Sequence, residues 1–194
     1  MKWAVLLTTC VRSGKPNDKK NEYYIRSIRD WLEKTDFPIY LVESSGYTFP
    51  EFKNTRLNVC TINLENLSSS SHYEARSLLA AFEYFKNDFV SYTHILKVTG
   101  RYFVDVQNIL NKMDNVPFMV QHHFNNETQW NNSEIFGIRI GMQHFLDHVS
   151  DPGGILMEHA LYHFSRKCGY QLFPPIKNIH HVPRGGDNLL YDYL

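Results

Sequence analysis

Residues Trp3 to Val11 form an almost unbroken apolar run that ends in Thr8, Thr9 and Cys10. A run this short, with no alternation, is the pattern of a strand buried on both faces. Such a strand belongs to a sheet covered by helices on each side, and the next 30 residues supply the first of them. After the loop Arg12-Ser13-Gly14-Lys15-Pro16-Asn17, with Asn17 or Asp18 available as a cap, Tyr24, Ile28, Trp31 and Leu32 recur at helical spacing. Thr35-Asp36-Phe37-Pro38 ends that helix, and Pro38 to Glu43 reads as a second strand.

The alternation continues. Leu57 to Asn63 reads as a third strand, Leu67 to Ser71 as a polar loop, and a helix begins near His72. A strand at Ile95 to Val98 breaks at Thr99-Gly100-Arg101, and a short helix follows from Asp105. Phe118–His122 and Ile135–Ile140 read as further strands, and Met142–Val149 and Ile155–Cys168 as helices. The tail from Phe173, rich in Pro, His and Gly, reads as a segment folded over a surface. The order predicts an α/β domain with a mostly parallel sheet and helices on both faces. Ligands of such sheets bind beyond the carboxyl ends of the strands, at a switch in strand order. Those ends are Thr9–Arg12, Glu43–Gly46 and Lys97–Tyr102.

Composition narrows the function. The 194 residues suit one domain, and 43% hydrophobic residues suffice for its core. Lys plus Arg and Asp plus Glu number 20 each, so there is no basic excess of the kind nucleic-acid binders carry, and none is expected as a partner. The three cysteines, Cys10, Cys60 and Cys168, are widely spaced without a CxxC pair, which argues against a disulfide scaffold or structural zinc site. No stretch approaches the ~20 apolar residues of a membrane span, and the N-terminus lacks a signal-peptide cleavage site. The expected location is the cytoplasm, that of a host if the protein is viral. G-x-G-x-x-G, Walker and G-x-S-x-G motifs are absent.

The segment Lys97-Val98-Thr99-Gly100-Arg101-Tyr102 puts two cations, a hydroxyl and a glycine at the ligand edge of a strand. Glycine permits close backbone approach, and arginine offers a planar fork to phosphate or sugar hydroxyls. A glycine turn with solvated charges fits the same residues. With the upstream His72-Tyr73-Glu74-Ala75-Arg76-Ser77-Leu78, the downstream Asn132-Ser133-Glu134-Ile135-Phe136-Gly137 and Met157-Glu158-His159-Ala160, it resembles small GT-A-type glycosyltransferase domains of bacterial polysaccharide clusters and large algal viruses. The resemblance spans about residues 3–165 in order of elements.

That resemblance implies a Rossmann-type, GT-A-like sheet in one domain over 1–194. Residues 1–104 would form the nucleotide-sugar half, and 105–194 the acceptor side and tail. Donor-binding candidates are Thr8, Thr9, Arg12, Glu43, Ser44, Arg76, Lys97, Thr99, Gly100, Arg101 and Tyr102, with a UDP-sugar the expected donor and a glycan hydroxyl the acceptor. Glu158, near the start of a helix after Asp151-Pro152-Gly153-Gly154, is the candidate general base for an inverting transfer. Glu134 and Asp151 stand in reserve. Arg101 is the second catalytic candidate, because the chain departs from the family pattern here. Many GT-A enzymes place Asp-x-Asp after this strand to hold Mn2+ or Mg2+ on the diphosphate, and this chain has Thr99-Gly100-Arg101-Tyr102, with Asp105 three residues on. Arg101 or Lys97 could replace the metal electrostatically. No metal ligands are assigned.

Other features have competing readings. The His144/His148 and His159/His163 pairs have metal-ligand spacing but more simply lie on the surface or in the acceptor cleft, and His122-His123 and His180-His181 alternate faces in extended chain. Trp130, Tyr102, Phe124 and Tyr162 are stacking candidates for sugar rings, or core. Val182 to Asn188 reads as a lid over the diphosphate or as a plain tail. A non-catalytic carbohydrate- or nucleotide-binding domain on the same fold is the alternative function.

Overall fold

The computed structural model describes residues 1–11, 19–53, 55–67, 69–121, 130–150, 154–177, 179–180, 182 and 193. Their strands are β1 (Trp3–Thr9), β2 (Ile39–Glu43), β3 (Leu57–Thr61), β4 (His94–Thr99), β5 (Phe118–Val120), β6 (Ile135–Arg139) and β7 (Tyr170–Leu172). The helices are α1 (Lys19–Lys34), α2 (Ser70–Tyr84), α3 (Lys86–Phe89), α4 (Gln107–Leu110), α5 (Asp147–Ser150) and α6 (Met157–Cys168). All seven strands form one sheet in the order β3-β2-β1-β4-β6-β5-β7. β6 runs antiparallel to both its neighbours, and the remaining pairs are parallel.

Alternate residues of the central strands feed two cores. Val5 and Leu7 of β1 and Leu96 and Val98 of β4 face α1, whose Tyr24, Ile28 and Trp31 are buried against them. Ala4, Leu6 and Ile95 face the other way, toward Ala75, Leu78 and Ala81 of α2 and Met157, Ala160 and Leu161 of α6. α1 stops because its last carbonyls are captured from outside. Thr35 donates to the Trp31 carbonyl at 2.7 Å, and the Arg56 guanidinium donates to those of Trp31 at 3.2 Å and Leu32 at 2.8 Å. α2 starts at Ser69, whose Oγ accepts from the His72 amide at 3.2 Å.

The structure departs from the sequence reading at several elements, among them α3, which was not anticipated, and the following three. β7 was not anticipated: three half-exposed residues carry no strand pattern, and the strand forms because it pairs with β5. The stretch expected as one helix over Met142–Val149 is a 3-10 turn at Gln143–Leu146 followed by α5. β3 ends at Thr61, and Asn63 instead bridges to Ser45.

The tail from Phe173 crosses α1. Phe173, Ile176 and Val182 are buried in the α1-side core, and His180 Nε2 lies 2.7 Å from Asp30 Oδ2. The proposed lid at 183–188 lies outside the described residues, as do Arg12, Asp151, His122, His123, Phe124 and His181.

Candidate active site

The strand order changes direction beside β1: its neighbours β2 and β4 are reached by crossovers on opposite faces, α1 and α2. The crevice between the carboxyl ends of β1 and β4 is therefore the expected ligand edge. Much of that edge is built by the strand ends stitching to one another. Glu43, fully buried, spends its carboxylate on four donors: the Val11 amide at 2.7 Å, the Ser45 hydroxyl at 2.7 Å, and the Ser45 and Tyr47 amides, both at 2.8 Å. Thr9 donates to the Val42 carbonyl at 3.2 Å, and Ser44 donates to the Thr9 carbonyl at 3.2 Å. Thr8 is also buried. Glycine is required at 100, because a Cβ there would overlap the Thr9 methyl and press on the Thr8 carbonyl oxygen at 3.0 Å. Glu43, Thr9, Ser44 and Gly100 thus shape the edge from beneath.

Above them lies a pocket of about 310 Å3 lined by Cys10, Ser45, Asn63, Leu64, Glu65, Asn66 and Tyr73. Two backbone bonds, from Gly46 to the Ile62 carbonyl at 3.0 Å and from Leu64 to the Ser44 carbonyl at 2.9 Å, hold the loops after β2 and β3 together as its wall. Asn66 turns that wall in the left-handed region at φ 59°, which asparagine tolerates better than most residues. Asn63, Glu65, Asn66 and Tyr73 escaped the sequence reading. A short polar loop and one tyrosine on a helix face give no signal until β3 and α2 set them beside Cys10 and Ser45.

Tyr73 joins this pocket to a second feature through its neighbour Glu74. Glu74 forms an ion pair with Lys97 of β4, whose side chain is almost wholly buried. The Lys97 ammonium also donates to Thr99 Oγ1 at 3.1 Å and to the Ser133 carbonyl, so its three N–H groups each have an acceptor. The Ser133 hydroxyl in turn donates to Glu158 Oε1 at 2.7 Å, in the first turn of α6. The starts of α2 and α6 meet directly, where the Met157 amide donates to Ser71 Oγ at 3.3 Å. Burial raises the Glu74 carboxyl above its usual range. Lys97 opposes that shift, and the nearby Glu158 and Glu134 reinforce it.

On the α1 side of the same strand end stands Arg101, its side chain 15% exposed. Its guanidinium lies 5.1 Å from the centre of the Tyr102 ring and 3.6 Å from Glu134 Oε1. Tyr102 donates its hydroxyl to the same Glu134 oxygen at 2.9 Å, and burial followed by Glu134 raises the phenol well above its usual range. Among the described residues the buried Arg101 Nε–H has no acceptor. Arg76 is exposed on α2.

These donors do not suit a divalent ion. Thr99-Gly100-Arg101 brings no carboxylate to the end of β4, and each nearby glutamate already has a partner: Glu74 has Lys97, Glu134 has Tyr102 and Arg101, and Glu158 has Ser133. Among the described residues no three His, Cys, Asp or Glu converge as metal ligands. Of the histidine pairs, His144 and His148 pack on Phe164, His159 on Trp130 and His163 on Tyr162.

Set against solved structures, the same sheet recurs. The apo form of the glycosyltransferase GlyE of Streptococcus pneumoniae TIGR4 superposes with a TM-score of 0.54 at 15% identity, over 90% of this chain and 45% of that one. A glycosyltransferase involved in glycosylation of the major capsid of PBCV-1 gives 0.53 at 8% identity, over 88% and 81%. The fold is of the GT-A type. This chain spans less than half the length of the pneumococcal protein. The nucleoside-diphosphate-sugar pyrophosphorylase of Vibrio cholerae RC9 also matches, at 0.53 and 11% identity over 87% and 91%, so the GT-A sheet alone does not select the reaction. No protein-family model matches the chain, and no curated protein matches its sequence. Among the described residues no helix is long and apolar enough to cross a membrane.

Proposed function

We propose that the protein is a glycosyltransferase that moves a hexosyl or pentosyl group from a nucleoside-diphosphate sugar to a hydroxyl of a glycan acceptor. The observation that carries this reading is the join between the pocket and Glu158. Tyr73 lines the pocket, and its neighbour in sequence, Glu74, begins a chain of contacts that runs through Lys97 and Ser133 to that carboxylate. A nucleoside in the pocket, in this reading, places its sugar toward that carboxylate. In this reading residues 1–104 hold the donor and 105–194 the acceptor.

The pocket favours uridine. Its volume of about 310 Å3 accommodates a nucleoside. Asn63 and Asn66 each carry an amide with both donors and an acceptor, the complement of a pyrimidine edge. Glu158, oriented by the Ser133 hydroxyl, takes the proton of the acceptor hydroxyl as that oxygen bonds to the anomeric carbon. The bond from that carbon to the diphosphate breaks on the opposite face, and configuration inverts. Trp130, packed 4.8 Å from the His159 ring next to Glu158, offers an aromatic face to the acceptor sugar.

The test is thermal unfolding with uridine, guanosine, adenosine and cytidine diphosphates and their sugar esters. A ligand that binds only the folded protein raises the midpoint by mass action. A shift with UDP larger than with the purine diphosphates is expected. No shift with any nucleotide would overturn the reading.

A further inference from the structure

The end of β4 carries two cations that the proposed transfer does not use equally, and the difference points to how the leaving diphosphate is stabilised. Three glutamates, Glu74, Glu134 and Glu158, lie around two cations, Lys97 and Arg101. Lys97 is committed: buried, it has an acceptor for each N–H. Arg101 is held but not saturated. The Tyr102 ring, a hydrogen bond to the Tyr102 hydroxyl and Glu134 set its plane, yet Glu134 stands at 3.6 Å, beyond a good hydrogen bond, and the buried Nε–H has no acceptor among the described residues. Leaving a buried donor unpaired is costly, and a guanidinium with an unused edge fits a phosphate oxygen pair. β4 pairs with β1 up to Thr8 and Thr99, so Arg101 follows the strand end that lies beside the end of β1.

Resting on the reading of the site as a nucleotide-sugar site, we infer that Arg101 takes the place of a divalent ion, binding the donor diphosphate and neutralising the charge that develops on it as the glycosidic bond breaks. The loose pairing to Glu134 holds the guanidinium in place when the site has no donor and is exchanged for the diphosphate when one binds. Glu74 is committed to Lys97, and Glu158 in this reading to the acceptor hydroxyl. The fixed positive charge acts from a partly buried position, where such groups contribute most to a developing anion.

The experiment is calorimetric titration of the wild type, Arg101→Gln and Arg101→Lys with UDP and with uridine, each in EDTA and in Mn2+. The wild type is expected to bind UDP within about twofold in the two buffers. Arg101→Gln is expected to lose tenfold or more in UDP affinity and less than about twofold for uridine, while Arg101→Lys recovers only part of the loss because it lacks the fork. Unfolding midpoints of both variants near that of the wild type show that the loss is local. UDP binding that requires Mn2+, or a Gln variant that loses uridine and UDP alike, overturns the inference while leaving the nucleotide site standing. A wild type that binds neither overturns both.

Discussion

The α2 side and the α1 side of the end of β4 treat a positive charge in opposite ways. On the α2 side Lys97 is enclosed, paired with Glu74 and bonded to Thr99 and Ser133, and through Ser133 it fixes the loop that orients Glu158. On the α1 side Arg101 rests on the Tyr102 ring and hydroxyl with a distant counter-ion and, among the described residues, an unmatched N–H. The first arrangement is what a structural ion pair requires, since a desolvated charge must have its partners in place. The second gives up some stability, and in the inference above it keeps donors in reserve for the diphosphate.

The largest expected effect comes from breaking the first arrangement. Lys97→Met should cost about 3–5 kcal/mol of stability in a urea titration, because it strands Glu74 as a desolvated carboxylate. Adding Glu74→Leu should return most of that loss. Arg101→Gln in the same titration should cost under about 1 kcal/mol, its ion pair being long. Equal losses for the two would erase the contrast.

A smaller effect is expected at the seam between the two sides. Gly100→Ala should cost about 1–3 kcal/mol through overlap with the Thr9 methyl and the Thr8 carbonyl. Thr9→Ser, which removes the methyl and keeps the hydroxyl that bonds Val42, should relieve part of that cost in the double variant. If Gly100→Ala is neutral in stability but weakens UDP binding, the glycine serves the ligand and not the strand contact.

How much of this was readable in the sequence follows from where the information lies. Strands β1, β2 and β4 were legible because they are buried on both faces and so read as unbroken apolar runs. α1 and α2 were legible from their periodicity. β7 was not, since Tyr170, Gln171 and Leu172 become a strand only beside β5. At the site, Arg101 stood out as a cation after a glycine at a strand end, and Glu158 as an acid opening a helix. The opposed fates of Lys97 and Arg101 were not legible. Lys97 meets a glutamate 23 positions earlier across the α2 face, a contact that no local pattern encodes. Asn63 and Tyr73 were likewise hidden, because only the loop bridge from Ser45 to Asn63 brings them to one pocket.

Transfer of a sugar at this edge with Glu158 as base is read from the reaction products. Wild type and Glu158→Gln would be incubated with UDP-sugars and a panel of glycan acceptors, and the nucleotide product identified. The account predicts release of nucleoside diphosphate with acceptor-dependent transfer. It predicts a fall in kcat of about 10²–10⁴-fold in Glu158→Gln, with donor affinity within about twofold of wild type. A wild type that releases no nucleoside diphosphate from any donor, one that instead forms nucleoside triphosphate from UDP-sugar and pyrophosphate, or a Gln variant that turns over at the full rate would contradict it.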